Sequence, residues 1–222
     1  MKSSNLAVLL SLAVVPSRLF AEGAVSAPAP VAIYMNFDGD HSDVAIEAMR
    51  REVEALTKPG GLHLHWRLLG GNRGAETFSD LLVVKFRGKC NMEGIQFLFS
   101  ELGPDVEGGA LGSTQTVNGQ VLPFSELQCD RIRHSIAPLA IGASPDEREA
   151  LLGRSLGRVL AHELFHVFAN TEQHGREGVA KTRYSRKDLA GEGFAFDAKD
   201  AARIERRPPN KFSIGPIQNT LW

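Results

Sequence analysis

The chain has 222 residues, of which 43% are hydrophobic and 23% are charged, and its formal net charge is −1. This length and composition suit one globular domain with a sizeable core. The balanced charge gives no basic excess that would favour a nucleic-acid partner, and there is no acidic tail that would indicate disorder.

The N-terminus is typical of a secretory signal peptide. A positively charged start precedes an apolar run within residues 5–15, and small residues follow at Ala21 and Ala27. The run is about eleven residues long, well short of the roughly 20 that span a bilayer. We expect a signal peptide over 1–27, a mature domain over 28–222, and a secreted or periplasmic protein with no stable membrane insertion after cleavage. An uncleaved membrane anchor is the alternative.

Strand patterns are either continuous apolar runs or alternating apolar residues. They occur at residues 31–37, 62–69, 80–86, 108–117 and 120–124. Asn118-Gly119 lies between the last two, and this dipeptide is a strong signal for a two-residue hairpin turn.

Helices are predicted where apolar residues recur at helical spacing. They cover residues 43–56 after a cap at Ser42 or Asp43, 92–102, 144–170 and 197–206. Ser144-Pro145-Asp146-Glu147 is a capping box with proline at the first helical position, which fixes the start of the long helix. The order of elements indicates an α+β fold with a C-terminal helix.

Cys90 and Cys129 are the only cysteines. In an oxidising compartment such a pair usually forms a disulfide. Closing a loop of about 40 residues would stabilise the fold by roughly 3 to 4 kcal/mol. We expect this disulfide, with two buried free thiols as the alternative.

The long helix contains the segment His162-Glu163-Leu164-Phe165-His166. Residues four apart share a helix face, so His162 and His166 can bind one metal ion. Glu163 projects to the side, where it can act on a water molecule as a general base. This is the H-E-x-x-H arrangement of zinc metallopeptidases. Two core histidines bonded to backbone carbonyls are the alternative interpretation.

A zinc site needs a third protein ligand. His174 is the first candidate, because Asn170 tolerates the left-handed conformation that ends a helix and could turn the chain back. Glu192 is the best alternative ligand, and His174 would then be a surface loop residue. Tyr184, ten residues after His174, is a candidate donor to the oxyanion, although it could equally pack on the surface.

The segment from His162 to His174-Gly175 resembles the zincin peptidases, and within them the metzincins, which have the pattern H-E-x-x-H-x-x-G-x-x-H. Here the spacing before the third histidine is two residues longer, and Asn170 stands roughly where their glycine turns the chain. Methionines occur only at 1, 35, 49 and 92, so the methionine turn of that family is absent or built from other residues. The stretch is also similar to exported bacterial proteins.

This resemblance implies a small twisted mixed sheet that backs the metal helix, with an edge strand that lines a substrate cleft. Residues 110–124 would supply that edge, where backbone groups could pair with an extended peptide. The expected function is that of a zinc metalloendopeptidase, with Zn²⁺ held by His162, His166 and His174, Glu163 as catalytic base, and a peptide or protein substrate. The alternative is a zincin-like domain that binds zinc or a protein partner without hydrolysis.

Overall fold

The structure is a computed structural model that describes residues 30–71, 78, 80–95 and 109–205. Its strands are β1 (Pro30–Phe37), β2 (His63–Leu68), β3 (Asp80–Arg87), β4 (Gly112–Val117) and β5 (Gln120–Gln128). Its helices are α1 (Asp43–Thr57), α2 (Cys129–Ile136), α3 (Pro145–Phe168), α4 (Arg186–Ala190) and α5 (Ala198–Glu205). Short 3₁₀ turns lie at Lys58–Gly60, Ala137–Ala140 and Gly178–Ala180.

The strands form one mixed sheet in the order β2-β1-β3-β5-β4. Neighbours from β2 to β5 run parallel, and β4 pairs antiparallel with β5. The predicted hairpin turn joins these last two strands, with φ of 52° at Asn118 and 75° at Gly119, as a two-residue turn with two left-handed residues requires. Strand β4 therefore forms one edge of the described sheet.

Helix α3 packs against α1 and also contacts β4 and β5. Two glycines of α3 permit this close approach to α1. A Cβ atom at Gly153 would lie 2.3 Å from the carbonyl oxygen of Ala45, and one at Gly157 would lie 2.7 Å from the Cβ of Glu52. Such distances are too short for any side chain larger than hydrogen, so the two helices can cross this closely only at glycine.

The core lies between the sheet and these two helices. It is formed by apolar side chains that are almost completely buried, including Ile33, Met35, Met49, Leu82, Phe86, Leu152, Leu156 and Leu160. The predicted α+β architecture is confirmed, with a mixed sheet that backs a long helix and a further helix near the C-terminus.

Two helices were not predicted from the sequence. Helix α2 has eight residues, and only Ile132 and Ile136 supply its buried aliphatic stripe. Helix α4 has five residues with a single buried position, Leu189. Segments this short contain too few apolar repeats for the 3.6-residue period to be detected.

The predicted disulfide is present between Cys90 and Cys129, whose Cα atoms lie 5.1 Å apart. Both residues are fully buried. The bond connects the segment that follows β3 to the first residue of α2. It therefore fixes α2 against the sheet, which compensates for the small apolar face of this helix.

Some predictions fall on other parts of the chain. The signal peptide over 1–27 and most of the helix over 92–102 lie outside the described residues. Within the described ranges, no helix has both the length and the apolar character needed to cross a bilayer.

Candidate metal centre

The last two turns of α3 carry the histidine pair. Ser144 and Glu147 form the predicted capping box at the other end of this helix, so its start is fixed. His166 is 8% exposed and Glu163 is 3% exposed, whereas His162 is half-buried. Polar side chains buried to this extent require partners within the protein or a bound ion.

Each histidine of α3 is oriented by a backbone carbonyl group. His162 Nδ1 lies 2.8 Å from the carbonyl oxygen of Val179, and His166 Nδ1 lies 2.7 Å from that of Thr171. A carbonyl oxygen can only accept, so both Nδ1 atoms are protonated donors. In a neutral ring this leaves Nε2 with a lone pair, which is the form that binds a metal.

The Nε2 atoms of His162 and His166 lie 3.0 Å apart. Two neutral rings in this arrangement direct lone pairs at each other, and this repulsion is removed by a cation shared between them. Burial lowers the pKa of His162 to about 4, and the hydrogen bond to Val179 opposes this only in part. A shared proton is therefore disfavoured at neutral pH, and the donor set fits a metal ion.

The turn that ends α3 brings the chain back to the histidines. Asn170 has a φ of 44°, as the sequence predicted for a helix end at this residue. The Thr171 N–H donates to the His166 carbonyl and the Asn170 N–H donates to the Val167 carbonyl, which is the Schellman pattern. The same turn presents the Thr171 carbonyl to the His166 ring.

His174 follows this turn, and the structure brings its ring to the other two. One nitrogen from each of His162, His166 and His174 lies within 4.8 Å of the other two. The ring centroid of His174 is 5.1 Å from that of His162 and 4.8 Å from that of His166. Two nitrogens bound to one zinc ion at about 2.0–2.1 Å in tetrahedral geometry are about 3.3 Å apart. The helix pair is close to this spacing, and His174 is exposed, so its side chain can rotate to adjust.

The alternative ligand Glu192 lies elsewhere. It is exposed and lines a cavity of about 360 Å³ together with Glu52, Arg154 and Arg158. Arg158 in this cavity donates to Glu52 and to the Asp188 carbonyl. Within the described ranges, the group of potential metal ligands contains His174 and not Glu192.

Tyr184 packs against the site from the side of His162. The two ring centroids are 5.7 Å apart, with the planes nearly perpendicular. The Tyr184 hydroxyl group donates to the Val179 carbonyl, which also accepts from His162. Burial raises the pKa of Tyr184 well above its ordinary value, so the hydroxyl group keeps its proton. In this arrangement the proton is directed at the backbone, which differs from the expected role as a donor to an oxyanion.

Glu163 faces the edge strand β4. Its Oε2 accepts a hydrogen bond of 2.6 Å from Thr114 Oγ1. A Cβ atom at Gly112 would lie 2.6 Å from Glu163 Oε1 and 2.8 Å from a methyl carbon of Val159. Burial raises the pKa of Glu163 to about 7, against the opposing effect of the Thr114 hydrogen bond. The carboxyl group can therefore both take up and release a proton near neutral pH.

Sequence reasoning missed several groups that shape this site. The Val179 carbonyl belongs to the 3₁₀ turn Gly178–Ala180, whose Ala180 carbonyl also accepts from the Gly175 N–H beside His174. Backbone acceptors of this kind leave no trace in residue type. Thr114 lies at a partly buried position of an alternating strand, which is the one signal that could have identified it.

No protein-family model matches the chain, and no curated protein matches it. Among solved structures, the chain is similar to the crystal structure of archaemetzincin from Methanopyrus kandleri, with 12% sequence identity and a TM-score of 0.48. The match covers 82% of this chain and 97% of that chain.

Proposed function

We propose that the chain is an exported zinc metalloendopeptidase that hydrolyses peptide bonds in a peptide or protein substrate. His162, His166 and His174 would hold Zn²⁺, and Glu163 would be the catalytic base. The observation that carries this proposal is the pair of facing Nε2 atoms, 3.0 Å apart, on the helix that also carries a buried glutamate. A purely structural zinc site has no need of a base beside its ligands.

Zinc is the metal favoured by the donor set, because imidazole nitrogens suit zinc better than magnesium or calcium, which prefer oxygen ligands. When bound, zinc supplies Lewis acidity that acidifies water and polarises a peptide carbonyl group. The hydrogen bonds from His162 to Val179 and from His166 to Thr171 keep both Nε2 atoms available as ligands.

Glu163 would move the proton. Its carboxylate would accept a proton from the attacking water and pass it to the leaving amine, and a pKa of about 7 suits both steps. The contact of Glu163 with Thr114 also brings this group beside strand β4. An extended peptide paired with the backbone along the outer edge of β4, an edge strand of the described sheet, would therefore run past the base.

Export is the second part of the proposal. The basic and apolar pattern within residues 1–27 supports a cleaved signal peptide. The disulfide between Cys90 and Cys129 is consistent with an oxidising compartment. N-terminal sequencing of the protein recovered from a secreting host tests this, and an intact Met1 on the mature protein would contradict it.

The peptidase proposal is tested in two steps. First, zinc is measured by elemental analysis on residues 28–222 after exhaustive dialysis, and one zinc per chain is expected. Second, the zinc-loaded protein and its Glu163→Gln variant are compared on a peptide library. We expect cleavage by the parent protein and a loss of at least about 100-fold in the variant, since general bases contribute about 10² to 10⁴. Zinc binding without cleavage would instead identify a zinc-binding or protein-interaction domain.

A further inference from the structure

We propose that Thr114 is a positioning residue whose hydroxyl group holds the Glu163 carboxylate, and that Ser125 orients this hydroxyl group. The inference rests on the proposed peptidase function, in which Glu163 is the base. It adds two residues of the β4–β5 hairpin to the residues that form the candidate site on helix α3.

The direction of each hydrogen bond follows from the number of protons available. Thr114 Oγ1 lies 2.6 Å from Glu163 Oε2 and 2.9 Å from Ser125 Oγ. A general base acts in its ionised form, and an ionised carboxylate only accepts, so in that form the single hydroxyl proton of Thr114 goes to Glu163. Ser125 must then donate to Thr114. The result is a chain from Ser125 through Thr114 to the base.

The two ends of this chain are shielded from solvent, and Thr114 between them is half-buried. Ser125 is 2% exposed and Glu163 is 3% exposed. A buried carboxylate without a donor would carry a full desolvation penalty. Thr114 supplies the side-chain donor to Glu163 within the described contacts.

The other oxygen of the carboxylate lies close to the backbone of Gly112. Gly112 lies two residues before Thr114 on β4, so both face the same side of the strand. The space for a Cβ atom at Gly112 is already filled by Glu163 Oε1 and Val159. Thr114 thus attracts one oxygen of Glu163 while the Gly112 backbone confines the other. Together they restrict the side-chain rotation of the base.

The register of the hairpin fixes the pair of hydroxyl groups. Thr114 and Ser125 are direct partners in the antiparallel pairing of β4 and β5, and the register shifts just after Thr114. Because β4 is also an edge strand of the described sheet, the position of the base is set by the strand that would receive the peptide. A misplacement of about 1 Å can reduce a rate about 100-fold, so this coupling has a catalytic consequence.

The kinetic test compares two substitutions at one position. Thr114→Val removes the hydroxyl group and keeps a branched side chain, while Thr114→Ser keeps the hydroxyl group. We expect Thr114→Val to lower kcat by about 10- to 100-fold with KM changed less than about twofold, as for a group that acts only in the transition state. Thr114→Ser should restore kcat to within about threefold of the parent. Equal losses in both variants would overturn the proposal.

A second measurement does not depend on activity. Crystal structures of the metal-free parent and of Thr114→Val should differ in the position of the Glu163 carboxylate, and Thr114→Ser should keep the parent position. Thr116→Val is the matched control, because it makes the same change at the next half-buried position of β4 and should leave Glu163 in place. An unmoved carboxylate in Thr114→Val would overturn the positioning role.

The two proposals fail in different ways. A zinc-loaded parent protein that cleaves nothing refutes the peptidase function, and the crystal structures then decide the role of Thr114 alone. Cleavage by the parent together with an unchanged kcat in Thr114→Val refutes the positioning role and leaves the peptidase function intact.

Discussion

His162 and His166 face each other through Nε2 atoms that are 3.0 Å apart, while each Nδ1 atom is bonded to a backbone carbonyl oxygen. The two backbone bonds leave the rings no choice of tautomer, so the repulsion between the lone pairs is built into the fold. A cation bound here is coordinated by both lone pairs, and this coordination removes the repulsion between them.

Zinc should stabilise the folded protein strongly. A ligand that binds only the folded state adds about 4 kcal/mol when its free concentration is about 1,000 times Kd. Thermal unfolding in the presence of zinc, compared with a chelator, would show this as a higher midpoint. Magnesium, which prefers oxygen ligands, should have little effect. The prediction is wrong if zinc leaves the midpoint unchanged or if a His162→Ala/His166→Ala double variant responds as the parent does.

The third ligand can be identified by substitution. His174→Ala should lower zinc affinity by more than the 10- to 100-fold typical for loss of an outer partner of a ligand. Glu192→Gln is the matched control at the alternative position, and it should bind zinc as the parent does because Glu192 lies at a separate cavity. Competition with a chromogenic chelator measures both. Weak binding in Glu192→Gln with tight binding in His174→Ala would reverse the assignment.

The sequence was sufficient to predict the long elements and the helix ends. Apolar stripes in α1 and α3 are long enough to show their period, and Ser144, Asn170 and the Asn118-Gly119 pair have specific local conformations that their residue types favour. These features depend on neighbours within a few residues. They can therefore be predicted from local rules, whereas the short helices α2 and α4 could not.

The interior of the candidate site could not be predicted in the same way. The Val179 carbonyl reaches His162 across 17 residues, and Thr114 reaches Glu163 across 49. Such contacts depend on how the turn at Gly178–Ala180 and the edge strand β4 pack against α3. Local patterns carry no information on these contacts, so the sequence indicated His162 as a candidate ligand but not the group that orients it.

The disulfide should contribute substantially to stability. Its cysteines are 39 residues apart in sequence, and the loop-entropy model gives about 3 to 4 kcal/mol for a loop of about this length. Urea unfolding of the oxidised parent and of a Cys90→Ala/Cys129→Ala variant would measure the difference. Both cysteines are fully buried, so their replacement by alanine also leaves cavities. Unfolding of the parent under reducing conditions breaks the disulfide without creating a cavity and serves as the control. A difference below about 1 kcal/mol in both comparisons would contradict the prediction.

Asp188 should make stability depend on acid pH. Burial would raise the pKa of Asp188, but hydrogen bonds from Lys181 and Ser185 outweigh this and lower it. A carboxylate with a lowered pKa in the folded state stabilises fully above its unfolded value of about 3.9, and that contribution is lost as the pH falls through the folded value. The parent should therefore lose its advantage over Asp188→Asn below about pH 4.

Denaturant unfolding of both proteins at several pH values measures this difference. Lys181 Nζ lies 2.7 Å from Asp188 Oδ1. The stability difference between the parent and Lys181→Met should therefore depend on pH in the same direction, but less strongly. The prediction fails if the difference between the parent and Asp188→Asn is the same at about pH 3 as at about pH 7.

Gly112 connects the edge strand to the base, and its substitution should affect stability and activity together. In Gly112→Ala, the new Cβ atom would lie 2.6 Å from Glu163 Oε1 and 2.8 Å from a methyl carbon of Val159. Either β4 moves away from α3 or the carboxylate is displaced, and overpacking of this kind costs about 1 to 3 kcal/mol. Denaturant unfolding and kcat measure the two effects. Ser113→Ala, at the exposed neighbouring position, should change stability by less than about 0.5 kcal/mol. Parent-like values for both measurements in Gly112→Ala would mean that β4 does not confine Glu163.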